Sequence, residues 1–287
     1  TGEPAHLETF VARMKAMTLP NCVFVDNTAS EVPVHHYQEL FQSNISVVTC
    51  NKIANSGRYI QYKALRDTAR KHGVDFFYET NVGAGLPIVR VLRDLMLSGD
   101  RIVRIEAILS GTISYIFNNF TGDASFHDVV QTAQKLGYTE PDPRDDLGGT
   151  DFMRKMLILA RDAGYELEPE DIELENILPE SCLGAKSVDD FYGELKSADN
   201  YFDALKNRAA SENKALRYIG KLEAGQVRIA LELVDETHPF FVLSGSDNII
   251  SFTTERYKER PLVVKGPGAG AEVTAAGVFA DLVNVGA

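Results

Sequence analysis

The sequence predicts an α/β protein in which a parallel-sheet domain is joined to a second, α+β domain. Short apolar runs alternate with amphipathic helical patterns over roughly the first 80 residues, as in β-α-β units. After Gly99 the pattern changes to longer strands with partial alternation. The chain has 287 residues, of which 44% are hydrophobic and 24% charged, enough for a full core and two domains.

The first domain is predicted to begin with an amphipathic helix at residues 4–17, which Pro20 ends. Strands follow at 21–26, 45–49 and 74–79, separated by a helix that Ser30 caps and a helix at 59–71. Loops leave the carboxyl ends of the first two strands at 26–28 and 50–52. Open α/β sheets bind ligands at those ends, so these loops are candidate binding residues.

The second domain is predicted to begin near Pro87, which lies at a helix start. Ser110 leads into an aromatic helix, and Ser125 caps a helix that Gly137 ends. An acidic, irregular and partly helical segment spans 166–213. The remaining predicted strands and the closing helix lie at 102–109, 216–222, 227–234, 249–253 and 261–265, and at 273–283.

The most informative stretch is GYTEPDPRDDLGGTDFMRK, residues 137–155, which holds five carboxylates and ends in a lysine. Its prolines, Pro141 and Pro143, are expected to exclude regular helix, and Thr150 or Asp151 is expected to cap the helix that follows. Asp151 and Lys155 are four residues apart, so they share one helix face.

Paired acids beside one lysine suit a substrate that carries an ammonium group and a second group that gains or loses a proton. Carboxylates would hold the ammonium, and a partly buried lysine can act as acid or base. An acidic surface loop with solvated charges is an equally simple interpretation. The spacing does not match the calcium loop of an EF-hand.

Composition excludes several function classes. A net charge of -12 argues against nucleic-acid binding, no apolar run reaches the ~18 residues of a membrane helix, and the N-terminal residues are not a signal peptide. The three scattered cysteines indicate a reducing compartment, and neither they nor the six histidines have metal-ligand spacing. No G-x-S-x-G or H-E-x-x-H motif is present.

Seven blocks along the whole chain resemble one family. They are VFVDNTAS, VVTCNK, FFYETNVGAGLPIV, IEAILSGTISYIFNNF, GYTEPDPRDDLGGTDFMRKMLILAR, LSGSDNII and GPGAGAEVTAAGVFADL. In this order they resemble homoserine dehydrogenases, in particular the dehydrogenase part of bifunctional aspartokinase–homoserine dehydrogenases. The resemblance implies an NADP- or NAD-dependent oxidoreductase that interconverts L-homoserine and L-aspartate 4-semialdehyde in threonine and methionine biosynthesis.

The resemblance also implies roles for individual residues. Lys155 and Lys52 would be the catalytic lysines, with Lys155 as proton donor or acceptor. The substrate-binding carboxylates would be Glu140, Asp146 and Asp151. The residues at the cofactor would be Thr28, Lys52, Gly137 and Gly270. A monovalent cation, sodium, would be held mostly by backbone oxygens of Glu79, Val82, Ala84 and Leu86.

The implied dinucleotide-binding domain comprises residues 1–86 and 266–287, and the substrate and dimerisation domain comprises 87–265. The family implies a homodimer, joined to an aspartokinase domain in the bifunctional class, and a cytoplasmic or, in a plant, plastid location. The family's opening strand and G-x-G-x-x-G turn are not found, so the Rossmann-like domain is expected to be incomplete at its N-terminus.

That expectation supports an alternative, in which a cofactor-deficient fragment serves only as a dimerising or amino-acid-binding module. A second alternative is a semialdehyde dehydrogenase that acts through a cysteine thiolate, with Cys22 or Cys50 as nucleophile.

Overall fold

The computed structural model describes residues 6–286. Its strands are β1 (Val23–Asp26), β2 (Ser46–Thr49), β3 (Phe76–Phe77), β4 (Ile102–Ile108), β5 (Ile172–Leu174), β6 (Ala215–Glu223), β7 (Gln226–Val234), β8 (Asp247–Thr254) and β9 (Leu262–Pro267). Its helices are α1 (Leu7–Met17), α2 (Glu31–Val34), α3 (Tyr37–Gln42), α4 (Ile53–Ser56), α5 (Tyr59–His72), α6 (Val89–Leu97), α7 (Gly111–Asn119), α8 (Phe126–Lys135), α9 (Pro143–Leu147), α10 (Thr150–Asp162), α11 (Glu180–Leu183), α12 (Val188–Ser197), α13 (Asp199–Ser211) and α14 (Ala271–Asn284).

The first sheet is parallel, in the order β1-β2-β3, as the alternating pattern predicted. All four residues of the central strand β2 are buried, which is usual when helices cover both faces of a parallel sheet. Tyr37, Leu40 and Phe41 of α3 pack with Phe76 of β3 in the core of this domain. The carboxyl ends of β1 and β2 therefore lie side by side.

The second sheet has six strands in the order β5-β7-β6-β4-β8-β9. Its neighbours are antiparallel except β5 and β7, which are parallel. Helix α10 lies on one face of this sheet and buries Phe152 and Met156 in its core. Gly220 of β6 makes this packing possible, because a Cβ there would lie 2.7 Å from Met156 Cγ and Sδ.

Several predicted elements differ from the observed ones in length. The third strand contains only Phe76–Phe77, because Glu79–Asn81 forms a 3₁₀ turn. Ser30 caps a helix as predicted, but that helix divides into α2 and α3. The segment 166–213, predicted to be irregular and partly helical, is more regular than expected and forms β5 and helices α11, α12 and α13. The predicted start of the first helix at Pro4 lies outside the described residues.

Two predictions about the acidic segment were wrong. Pro143 does not exclude helix but begins α9, because proline lacks the N–H that is unpaired in a first helical turn. The Asp142 side chain caps that helix by accepting from Arg144 N. Neither Thr150 nor Asp151 caps α10. The cap position is held by Gly149 in the left-handed region, with φ 72°, and no side chain caps the helix.

Within residues 6–286, no helix combines the length and the apolar character that crossing a membrane requires.

Candidate active site

Helix α10 presents Asp151 and Lys155 on one face, as their spacing predicted. Lys155 Nζ lies 2.7 Å from Asp151 Oδ2 and donates to the Leu109 carbonyl at 2.7 Å. The Lys155 side chain is only 12% exposed, whereas that of Asp151 is 55% exposed. The ammonium is therefore held at the inner end of a site whose carboxylate faces solvent.

Lys52 reaches the same carboxylate from the first domain. It occupies the N-terminal cap position of α4, and its Nζ lies 3.2 Å from Asp151 Oδ1. One carboxylate thus bridges two ammonium groups, one from each domain. The contact brings together the two lysines that the sequence singled out.

Asp151, Lys155 and Lys52 form a charged triad, and their mutual interactions shift the pKa values of two of them. Partial desolvation would raise the pKa of Asp151, but the ammonium groups of Lys155 and Lys52 outweigh it and lower the pKa to about 2. Burial lowers the pKa of Lys155, an effect that Asp151 opposes and Lys52 reinforces. A lysine with a lowered pKa is a better base near neutral pH than a solvated one.

Asp146 organises the loop in front of Lys155. Its Oδ1 accepts from Thr112 Oγ1 at 3.1 Å, and its Oδ2 accepts from the Glu140 N–H at 2.8 Å. Burial raises the pKa of Asp146, and its carboxylate also acts on Lys155 electrostatically. Glu140 itself is exposed. The structure therefore brings Asp146, Asp151 and Lys155 together and leaves the Glu140 carboxylate at the outer edge.

A hydrogen-bond network joins the loops after β1 and β2. Asp26 Oδ1 accepts from the Thr28 N–H at 2.8 Å, and its Oδ2 accepts from Tyr37 Oη at 2.6 Å and Asn51 Nδ2 at 3.0 Å. This network holds Thr28 near the loop that leads to Lys52. Polar side chains at the carboxyl ends of parallel strands are the setting in which α/β sheets bind nucleotides, so these residues fit a dinucleotide.

The two glycines predicted at the cofactor have different local settings. The C-cap of α8 is Leu136 and not Gly137 as predicted; Gly137 follows that cap with φ 76°, and a Cβ there would meet no atom within 4 Å. Gly270 has φ 122° and holds the cap position of α14. Both leave a helix end or start without a side chain, which permits close approach of a ligand to the backbone.

The residues predicted to hold a cation offer only oxygen atoms as ligands. The buried Glu79 carboxylate accepts from the N–H groups of Val89 and Arg90, both at 2.8 Å, and thereby caps α6. The left-handed conformation of Ala84, with φ 53°, turns this segment sharply. A carboxylate and backbone carbonyls suit a hard cation. Within residues 6–286, no cluster of three His, Cys, Asp or Glu side chains is arranged to hold a metal, at Glu79 or at any other place.

Two contributors to the site were not predicted from sequence. The Leu109 carbonyl is a backbone group at the end of a strand, which no side-chain pattern identifies. Thr112 occurs in the block IEAILSGTISYIFNNF, and its single hydroxyl hydrogen is shared between the Asp146 carboxylate and the Tyr138 carbonyl. The sequence feature that could have identified Thr112 is its position in the first turn of a helix that directly follows a strand.

Two family models match the chain. One, described as homoserine dehydrogenase, matches residues 87–283, and one described as homoserine dehydrogenase, NAD binding domain, matches residues 2–79. A Zea mays protein named bifunctional aspartokinase/homoserine dehydrogenase 2, chloroplastic, is 49% identical over 99% of this chain. The chain spans only 31% of that relative's length. The homoserine dehydrogenase of Saccharomyces cerevisiae is 43% identical, with 99% of this chain and 80% of the relative covered.

Solved structures give the same picture. A Candida auris protein of unknown function superposes with a TM-score of 0.94 at 40% identity, covering 98% of this chain and 80% of its own. A hyperthermophilic archaeal homoserine dehydrogenase mutant in complex with NADPH superposes with a TM-score of 0.70 at 27% identity, covering 92% and 71%. Since the family models cover most of the sequence and the yeast relative aligns over nearly all of it, the chain belongs to the homoserine dehydrogenase family.

Proposed function

We propose that this chain catalyses the NAD(P)-dependent interconversion of L-homoserine and L-aspartate 4-semialdehyde, a step in threonine and methionine biosynthesis. The observation that carries the proposal is the mostly buried Lys155 ammonium, held by Asp151 and the Leu109 carbonyl, with Lys52 on the same carboxylate. This arrangement matches a small substrate that bears both an ammonium group and a hydroxyl that loses a proton.

In this mechanism Asp151 and Glu140 bind the substrate ammonium, and Asp146 holds the loop that carries Glu140. During oxidation, neutral Lys155 accepts the proton of the substrate hydroxyl at Nζ, and in reduction it returns a proton to the carbonyl oxygen. When bound, NAD(P) supplies the hydride acceptor or donor. The backbone carbonyl of Leu109 orients the Lys155 amine, because a fixed acceptor limits its rotation.

Thr28, Lys52, Gly137 and Gly270 would line the cofactor. The match of residues 2–79 to an NAD-binding family model supports this assignment, as does the NADPH named for the archaeal relative. Lys52 would then lie between cofactor and substrate, because it already contacts a substrate-site carboxylate. Separate titrations with NADPH and NADH distinguish a preference for NADP from one for NAD.

We extend the proposal to a monovalent cation, sodium, at Glu79, Val82, Ala84 and Leu86. Burial raises the pKa of the Glu79 carboxyl, although hydrogen bonds from the first turn of α6 oppose this. A bound cation would offset the cost of keeping this carboxylate charged.

The proposed dinucleotide domain comprises residues 1–86 and 266–287, and residues 87–265 form the substrate and dimerisation domain. Contact between Glu79 N–H and the buried Asp281 carboxylate supports the return of the C-terminal helix to the first domain. Gly266 and Pro267 still pair with β8 in the second sheet, so we propose that the chain crosses to the first domain just after Pro267, slightly later than the boundary at 266. We also propose a homodimer, an attached aspartokinase domain as in the Zea mays relative, and a cytoplasmic or plastid location.

The direct test uses the full-length protein that carries this chain. Homoserine should be oxidised with NADP⁺ or NAD⁺ present, and a fluorescence titration should show binding of the reduced cofactor. Lys155→Ala should lower turnover by about 10²–10⁴-fold while homoserine still binds. Near-normal turnover of this variant would remove Lys155 from the mechanism, and a parent protein that oxidises no homoserine would overturn the proposed function.

A further inference from the structure

A buried arginine at the far end of α10 joins the two domains. The Arg161 side chain is fully buried, and its guanidinium donates to the carbonyls of Asn55 at 2.9 Å, Gly57 at 2.7 Å and Leu167 at 2.8 Å. Asn55 and Gly57 belong to the C-terminal end of α4. Five guanidinium donors in a rigid plane suit such a set of carbonyls, so this contact fixes where the end of α4 lies.

The same short helix carries Lys52 at its other end. Lys52 occupies the N-terminal cap position of α4, and it pairs with Asp151 in the first turn of α10. Helix α4 is therefore attached to α10 twice, by Arg161 at one end and by the ion pair at the other. With only four residues in α4, a displacement of one end moves the other.

Asp162, next to Arg161, adds further contacts between α10 and the first domain. Asp162 Oδ1 accepts hydrogen bonds from Tyr62 Oη, Tyr78 Oη and the Arg66 guanidinium, at 2.8–3.2 Å. Arg66 in turn donates to the Asn55 side-chain oxygen at 3.1 Å. The last turn of α10 is thus anchored in the first domain, while its first turn carries the substrate-site charges.

We propose that Arg161 is a positioning residue that sets Lys52 against the Asp151–Lys155 pair by holding the C-terminal carbonyls of α4. The inference rests on the proposed function for its kinetic consequence, although not for its structural one. Three charged groups face Lys155: Asp151 and Asp146, which favour its protonated form, and Lys52, which disfavours it. Loosening Lys52 should therefore raise the pKa of Lys155.

The test compares R161K with a matched control, R217K, in the full-length protein. Arg217 is also buried and also donates to backbone carbonyls, but these are the carbonyls of Phe240, Phe241 and Leu243, which lie outside α4. Lysine cannot reproduce a set of planar contacts, so both variants should lose thermal stability. Only R161K should move the acidic limb of the kcat–pH profile for homoserine oxidation, and it should move it to higher pH.

A double variant asks whether Arg161 acts through Lys52. K52Q should shift the limb to higher pH by itself. If the proposal holds, R161K should add less than about twofold to the loss of kcat/KM that K52Q causes, because coupled sites are not additive. Full additivity, or an acidic limb in R161K that coincides with that of the parent, would overturn the proposal.

If R161K does not fold, E168Q serves as a milder variant. Glu168 Oε2 lies 3.5 Å from the Arg161 guanidinium, so its loss weakens the hold on Arg161 without removing the arginine. The limb should then move in the same direction by a smaller amount, and an unmoved limb would again refute the proposal.

A readout independent of activity separates this inference from the proposed function. Competitive labelling of amines, followed by mass spectrometry of the Lys155 peptide, reports the pKa of Lys155 in each variant. It should rise in R161K and K52Q and stay unchanged in R217K. If the parent oxidises no homoserine, the proposed function fails, and the labelling still decides the role of Arg161.

Discussion

Lys52 Nζ lies 3.2 Å from Asp151 Oδ1, so an ammonium group from the parallel-sheet domain contacts a carboxylate on the helix that carries Lys155. The second oxygen of that carboxylate contacts Lys155 at 2.7 Å. The single Asp151 carboxylate thus contacts both lysines.

Asp151→Asn should shift the pH dependence of homoserine oxidation. The Asp151 charge raises the pKa of Lys155 against the lowering effect of burial, so its removal should lower that pKa further. Neutral Lys155 is the base in oxidation, so the acidic limb of kcat against pH should move to lower pH by about one unit. Asp145→Asn is the matched control, because Asp145 is exposed in the same acidic segment, whereas the Lys155 ammonium pairs with Asp151 and the Leu109 carbonyl. An unmoved limb in D151N would contradict this account.

The same carboxylate should contribute to stability in acid. Its pKa in the folded protein is about 2, below the ordinary value of 3.8, so its contribution is complete above about pH 4 and is lost as pH falls through about 2. The half-exposed position screens the interaction and keeps the contribution small. Urea unfolding of parent and D151N should give free energies of unfolding that differ most near neutral pH and converge towards pH 2. A constant difference across that window would show that the ion pairs do not stabilise the fold.

Replacing glycine by alanine should have opposite effects on stability at two positions, one packed against α10 and one exposed. A Cβ on Gly220 would lie 2.7 Å from Met156 Cγ and Phe152 Cε1, so Gly220→Ala should destabilise the protein by ~1–3 kcal/mol. Gly193, in α12, is exposed and has no neighbour within 4 Å of the added atom. Gly193→Ala should therefore stabilise by ~0.5–1 kcal/mol. Chemical denaturation measures both. Equal effects of the two substitutions would argue against close contact between α10 and β6.

Removal of sodium tests the proposed cation site. Replacing sodium by choline at constant ionic strength should lower the melting temperature of the parent, because a ligand that binds only the folded state stabilises it. Glu79→Gln should melt at the same temperature in both salts, since its side chain no longer supplies a charged donor. Scanning calorimetry gives the comparison, and the difference between salts is independent of any loss of the α6 cap. If the parent protein melts at the same temperature in sodium and in choline, the proposed sodium site is ruled out.

Cys50→Ser should retain turnover within about twofold of the parent, because serine is close to cysteine in size and the thiol has no role in the proposed mechanism. Desolvation, together with the nearby Asp26 charge, raises the pKa of the Cys50 thiol, so the reactive thiolate is disfavoured. Cys22 and Cys182 are likewise free thiols. Steady-state kinetics with and without a thiol-blocking reagent provide the measurement. Loss of activity with either treatment would restore the thiolate mechanism of a semialdehyde dehydrogenase.

Pro143 and Gly149 illustrate where sequence rules were too coarse. Proline was expected to exclude helix, yet the first turn of a helix is where its missing N–H costs nothing. A side-chain cap was expected for α10, yet Gly149 holds the cap position in a left-handed conformation, where a Cβ would lie 3.1 Å from Leu174 Cδ1 and from Tyr218 Oη. Both outcomes depend on what surrounds the segment, which local propensity does not describe.

The sequence by itself determined the α/β class, the order of most strands and helices, the shared face of Asp151 and Lys155, and the family, because each depends on local periodicity or on contiguous motifs. The tertiary structure alone decided that Lys52 meets Asp151, that the Leu109 carbonyl holds Lys155, and that Arg161 ties α4 to α10. These contacts join residues far apart in the chain, and their distances follow from how the sheets and helices pack rather than from any spacing along the sequence.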